Sequence, residues 1–180
     1  MCLKVPNASI EKYLAKDYFK SIFTQPKLVK FNQKADEAVA LLAETPVSEM
    51  ESKIKEIEKK FDEVVNFYDY NMLGSEGNFQ MMMDTIFKSR FNRVSSQVVT
   101  KDGRMDTVIF DDTRVFVIEF KFNKSSKEAI DQIHRKEYYM KPDIIGSKLP
   151  VMLLGINLQK DKGTKNVRID ISYELFRGSK

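Results

Sequence analysis

Within "GRMDTVIFDDTRVFVIEFKF", Gly103 to Phe122, two strand-like runs of Val, Ile and Phe carry an acid at Asp106 and then Glu119 and Lys121 near the far end. Strand side chains alternate, so Glu119 and Lys121 share a face with Val115 and Val117, while Phe116, Ile118, Phe120 and Phe122 line the other. If Asp112 and Thr113 are the two loop residues of a hairpin, position 106 falls opposite position 119. A slip of one residue would put Asp106 on the opposite face. In the first register the two carboxylates stand with Cβ atoms about 4.5 to 5.5 Å apart, which destabilises a sheet unless something offsets the repulsion. A divalent cation would offset it, and hard oxygens with no nearby His or Cys suit Mg²⁺ or Mn²⁺ better than zinc. With a lysine beside them, such acids suit phosphodiester hydrolysis: the ion polarises the phosphate and acidifies its water, and the lysine positions the nucleophile or stabilises developing charge. An ordinary cross-strand salt bridge among Asp106, Glu119 and Lys121 explains the same spacing.

The rest of the chain narrows the chemistry. His134 is the only histidine and Cys2 the only cysteine, which excludes internal disulfides and cysteine-rich zinc sites and confines any His base to one position. His134 lies in a charged helical stretch and reads as a solvated surface residue. Lys and Arg number 30 against 26 Asp and Glu, a formal charge of +4, a lean toward anionic partners that decides nothing alone. The N-terminus has charges too early for a signal peptide, and no run is long and apolar enough for a membrane helix, so the expectation is a soluble, cytoplasmic protein with no membrane partner. There is no G-x-x-x-x-G-K-[ST] loop to hold ATP.

The elements that must position these residues follow from periodicity. "SIEKYLAKDYFKSIF" reads as a first helix capped by Ser9, with Ile10, Tyr13, Leu14, Phe19, Ile22 and Phe23 at helical spacing. "KADEAVALLAE" reads as a second helix ending before Pro46. A third covers "PVSEMESKIKEIEKKFDEVVNFYDY", with a capping box at Ser48 and Glu51. After a break at Gly74 to Gly77, Phe79, Met82, Met83, Ile86 and Phe87 mark a core helix. From about Val94 the period changes to alternation through three strands. Then come a helix at "SSKEAIDQIHRKEYYMK" with Ser125 and Glu128 as capping box, a buried strand "LPVMLLGINL", and a last strand "NVRIDISYELF". A helix between strands returns the chain to a parallel neighbour, so the order predicts a mixed α/β sheet flanked by helices.

"GRMDTVIFDDTRVFVIEFKF" followed by "SSKEAIDQIHRKEYYMK" resembles the PD-(D/E)XK nuclease superfamily. More narrowly, it resembles the nuclease domain C-terminal to AAA-ATPase-like domains in bacterial proteins. The matching set is Asp106 in a G-R-x-D strand, Glu119 and Lys121 in E-x-K, then Gln132, Lys136 and Tyr138. "LKVPNASIEKYL" resembles the segment joining the ATPase-like part to the nuclease. "SEGNFQMMM" resembles the helix that opens the nuclease fold, although the family's aromatic-His pair reads Phe79-Gln80 here.

The resemblance implies a restriction endonuclease-like core at residues 73–180, with 1–72 as a helical extension connecting to an absent ATPase-like domain. It implies a metal, Mg²⁺ or Mn²⁺, held by Asp106, Glu119 and the backbone carbonyl of Phe120, with Glu76 as auxiliary ligand. Lys121 takes the catalytic lysine role. Gln132 and Lys136, one helical turn apart, can face that site, with Lys136 and Tyr138 on nucleic acid. A helix-surface amide remains an alternative for Gln132. The expected function is metal-dependent hydrolysis of phosphodiester bonds, most simply in DNA. The alternative is an inactive nuclease-fold module that binds nucleic acid or docks on an ATPase partner, with a dimer left open.

Overall fold

The computed structural model describes residues 8–100 and 103–176. Cys2 and the start of the connector-like segment, residues 3–7, lie outside the described residues. Four helices come first: α1 (Ala8–Ile22), α2 (Gln25–Glu44), α3 (Met50–Val65) and α4 (Glu76–Lys88). Strands β1 (Val94–Thr100), β2 (Gly103–Phe110) and β3 (Val115–Phe122) follow, then α5 (Ser126–Arg135), a short α6 (Pro142–Gly146), β4 (Val151–Lys160) and β5 (Val167–Phe176). The sheet order is β1-β2-β3-β4-β5, antiparallel except for the parallel β3–β4 pair that the α5 crossover creates. This is the mixed, helix-flanked α/β sheet that the element order predicts.

The two faces of β3 divide as alternation requires. Phe116, Ile118 and Phe120 join Met152, Leu154, Ile156 and Leu158 of β4 in a core shared with α1 to α4. Val115 and Val117 join Val108, Leu153, Ile130 and Ile133 in a second core under α5. The first core runs unbroken from Phe31 and Leu42 of α2 through Phe61 of α3 and Phe87 of α4 to the sheet, so the N-terminal helices are packed onto it. On the far edge, α3 reaches β5 with polar side chains: the N–H of Ile171 donates to Glu58 Oε1 at 2.9 Å and that of Ile169 to Asp62 Oδ1. These acids satisfy edge donors that would otherwise be open to another strand.

Several local expectations need correction. The first helix already begins at Ala8, so Ser9 sits in its first turn and not at its cap. The front of α1 faces outward, with Tyr13 and Leu14 exposed, because the core is met from its second half, at Phe19, and by Phe23 just past its end. Helix α2 starts at Gln25, well before Lys34, because Pro26 falls in the first turn where its missing N–H costs nothing. No box forms at Ser48, which lies in a 3-10 turn, Val47–Glu49, leaving Glu49 at the cap position of α3 without a side-chain cap bond. Met81, unlike Met82 and Met83, is half exposed. Ser125 does cap α5, accepting from the Glu128 N–H at 3.2 Å while its hydroxyl donates to Glu128 Oε1.

Helix α5 itself stops at Arg135, where Glu137 adopts a left-handed backbone with φ 47°. Lys136 is therefore its C-cap, and Tyr138 lies in a separate 3-10 turn, Tyr138–Met140, rather than on a continuous helix. No helix among the described residues is long and apolar enough to cross a membrane.

Candidate active site

The hairpin takes the register in which Asp112 and Thr113 form the loop: Phe110 pairs with Val115 and Thr107 with Ile118. The β2–β3 pairing ends there, one step short of Asp106 and Glu119. In its place Asp106 Oδ2 accepts the N–H of Phe120 at 2.9 Å. A side-chain acceptor thus substitutes for a ladder carbonyl, and the carboxylate is locked beside Glu119.

Glu119 is 2% exposed and Lys121 5%. Lys121 Nζ donates to Glu119 Oε1 and to the Phe120 carbonyl, both at 2.9 Å, so the ion pair is a buried one within β3 and not the cross-strand bridge with Asp106 that the alternative supposed. Gln132 of α5 donates its amide N–H to the same Glu119 oxygen, which places Gln132 in the site and not on a bare helix surface. The other oxygen, Glu119 Oε2, is buried without a hydrogen-bond partner. An orphan carboxylate oxygen in that position is expensive unless a cation or donor meets it.

The charges confirm how crowded the site is. Burial, then the neighbouring Asp106 carboxylate, pushes the Glu119 carboxyl up to about 7 against the pull of Lys121. Burial likewise raises Asp106, with the Phe120 N–H and Lys121 opposing it and Glu76 adding to the rise. Glu76, in the first turn of α4, therefore acts on both acids through space. No group of three or more His, Cys, Asp or Glu side chains among the described residues converges as a ready ion cage. The donor set is two carboxylates plus the Phe120 carbonyl that Lys121 meets, all hard oxygens, and Glu119 Oε2 is a buried acceptor left without a donor. These residues fit a small divalent cation of the Mg²⁺ or Mn²⁺ type.

Lys136 and Tyr138 meet at the start of β2. Gly103 has φ 138°, and a Cβ there would stand 3.8 Å from both Lys136 Nζ and Tyr138 Oη. Tyr138 donates its hydroxyl to the Arg104 carbonyl at 2.6 Å, two residues from Asp106. His134 points away from the carboxylates, pairing with Glu174 at 2.6 Å on the exposed face, as its charged surroundings predict.

Other residues that position the site carry no signal in a sequence read alone. Gln80 of α4 donates to the Asp106 carbonyl at 3.4 Å, and Asp84, one turn on, accepts from the Thr107 hydroxyl. The start of α5 is seated by β4 and β5. Gly155, paired with Glu119, lets the Ser126 carbonyl lie where any Cβ would be, and Asn157 brackets the Lys124 backbone with two bonds of 3.1 Å. Asp170 accepts from the Ser126 N–H and hydroxyl at 3.1 and 2.7 Å. The alternation of β4 and β5 marks these positions as facing α5, but nothing local says that a helix start meets them.

A family model for the PD-(D/E)XK nuclease superfamily matches residues 74–168, more than half of the chain. The chain belongs to the PD-(D/E)XK nuclease superfamily. The matched segment takes in Glu76, Asp106, Glu119, Lys121 and Gln132 and the five-stranded sheet as far as the start of β5. Membership implies nuclease-type activity that depends on a divalent metal ion, and with it nucleic-acid binding. No curated protein matches the chain, and no solved structure does.

Proposed function

We propose that this chain is an active nuclease domain that hydrolyses phosphodiester bonds in DNA with Mg²⁺ or Mn²⁺. The observation that carries the reading is the orphaned Glu119 Oε2 beside a clamped Asp106. In this reading Asp106 and Glu119 hold the ion with the Phe120 carbonyl, and Glu76 supplies further negative charge. When bound, the ion supplies Lewis acidity toward the phosphate and lowers the pKa of its water.

The chain's own groups do the rest. The Phe120 N–H fixes the rotamer of Asp106, and the Gln132 amide, anchored by α5, fixes that of Glu119. Lys121, held against Glu119 Oε1, orients the attacking oxygen and stabilises charge growing on the phosphoryl oxygens. Lys136, at the mouth of β2, contacts a flanking phosphate. Tyr138 is corrected from a nucleic-acid contact to a support, since it is buried with its hydroxyl on the Arg104 carbonyl. The helices of residues 1–72 form the connector toward an ATPase-like domain or partner. A second reading, a non-catalytic module, is favoured by one observation: Lys121 already neutralises Glu119 and occupies the Phe120 carbonyl.

The deciding assay incubates the protein with plasmid, linear duplex, single-stranded DNA and RNA in Mg²⁺, Mn²⁺ or EDTA. Ion-dependent DNA cleavage that is lost in Asp106→Asn and in Lys121→Met is expected. Preferential cutting of RNA would overturn the choice of substrate, and no cutting of any substrate with either ion would overturn the enzyme.

A further inference from the structure

A groove of about 410 Å³ opens between α4 and β1, lined by Gln80, Met81, Asp84, Lys88 and Gln97 among others. That volume falls in the range of about 300 to 1,000 Å³ usual for small-ligand sites. It borders the backbone of β2 at Asp106. Gln80 bonds the Asp106 carbonyl, and Gln97 lies between the Ser96–Thr107 and Val98–Met105 pairs, opposite Asp106. Gln97 holds a left-handed backbone, φ 53°, inside a strand, a conformation that costs a non-glycine residue free energy and that clusters at ligand sites.

The existing bonds fix what the groove offers. Gln97 Oε1 accepts from Arg104 Nη1 at 3.0 Å, so its amide N–H groups remain as donors. Gln80 gives an N–H to Asp106, so its Oε1 remains as an acceptor. Asp84 lies one turn along the same face of α4; its carboxylate takes the Thr107 hydroxyl and meets that of Ser96, and its remaining lone pairs make a second acceptor. One donor and two acceptors complement the Watson–Crick edge of guanine, which presents the O6 acceptor and the N1 and N2 donors. Adenine, cytosine and thymine present other patterns. Half-exposed Met81 supplies an apolar surface for the ring, and Lys88 a cation for a neighbouring phosphate.

We infer that the α4–β1 groove is a nucleobase subsite that takes an unpaired guanine next to the scissile phosphate. This rests on the nuclease reading for its biological use, but not for its binding. The test is calorimetric titration of the full chain, in EDTA, with guanosine, inosine and adenosine 5′-monophosphates. Guanosine monophosphate is expected to bind about tenfold more tightly than the inosine compound, which lacks the N2 amino group, and than the adenosine compound.

Gln97→Ala, at an exposed strand position, is expected to weaken guanosine and inosine monophosphates alike by about tenfold and to leave the adenosine compound unchanged. Asp84→Asn is expected to erase the guanosine advantage, with its folding checked by circular dichroism; if it does not fold, Gln97→Ala decides. Equal binding of the three nucleotides, no binding at millimolar concentration, or an unchanged preference for guanosine over adenosine monophosphate in Gln97→Ala overturns the subsite. Guanosine binding by a protein that cleaves nothing would leave the subsite standing and remove the nuclease reading. Cleavage without base preference would do the reverse.

Discussion

Replacing Gly155 by alanine perturbs the seat of α5 at its tightest point. The new Cβ would lie 2.0 Å from the Ser126 carbonyl oxygen and 2.9 Å from Ala129 Cβ. The first is a backbone atom and cannot rotate away, so the start of α5 must lift by about 1 Å or more to reach ordinary contact. Overpacking of this kind costs about 1 to 3 kcal/mol. The lift also strains the Ser126 bonds to Asp170 and Ser172, each worth about 1 kcal/mol. A loss of about 3 to 4 kcal/mol follows, or roughly 10 °C in Tm for a chain of this size.

Urea unfolding followed by circular dichroism measures that loss, with Gly146→Ala as control, since a Cβ there meets nothing within 4 Å. The control should change stability by less than about 0.5 kcal/mol. Because α5 carries Gln132, the same lift draws its amide from Glu119, and cleavage should fall about a hundredfold in molecules that remain folded. A Gly155→Ala protein within about 1 kcal/mol of wild type would refute the reasoning that this glycine admits the helix.

Burial, opposed by the Thr107 hydroxyl, pushes the Asp84 carboxyl up to about 6 from its ordinary 3.8. The folded state therefore holds this proton more tightly than the unfolded chain, and stability present below about pH 4 is lost as pH rises through about 6. The loss is roughly 3 kcal/mol. Urea midpoints at pH 4 and pH 7 should show that component in wild type and not in Asp84→Asn. Lys121→Met leaves Glu119 buried and uncompensated, so metal-free protein should lose about 3 kcal/mol at neutral pH in the same unfolding assay. Lys160 donates to the Tyr70 and Leu73 carbonyls at 2.6 and 2.9 Å, and Lys160→Met should cost about 2 kcal/mol and speed amide exchange ahead of α4. The double variant Glu58→Ala, Asp62→Ala uncovers the β5 edge and should show concentration-dependent association in analytical ultracentrifugation.

The acids, the lysine and the hairpin register were legible because each depends on counting along one continuous stretch. With Asp112 and Thr113 as the turn, counting alone puts Asp106 opposite Glu119, and alternation puts Glu119 and Lys121 on the face of Val115 and Val117. The parallel return to β4 was legible for a similar reason, since a helix of this length between buried strands allows little else. Lys136 and Tyr138 were misplaced because helical spacing continues past Arg135 in the sequence, whereas the backbone turns left-handed at Glu137. The outward face of α1 was misjudged because Tyr13 and Leu14 keep the spacing of a core stripe without a neighbour to bury them. Gly155, Asn157, Asp170, Gln80 and Asp84 owe their roles to contacts between distant segments, which no local pattern encodes.

The most direct test of the ion site is calorimetric titration of the metal-free protein with Mn²⁺, beside Asp106→Asn. Wild type should bind one ion per chain in a saturable isotherm that vanishes in the variant, as the proposed coordination by the orphaned Glu119 oxygen and the clamped Asp106 requires. Wild type that takes up no Mn²⁺, or a variant that binds it equally well, would contradict the assignment of these acids.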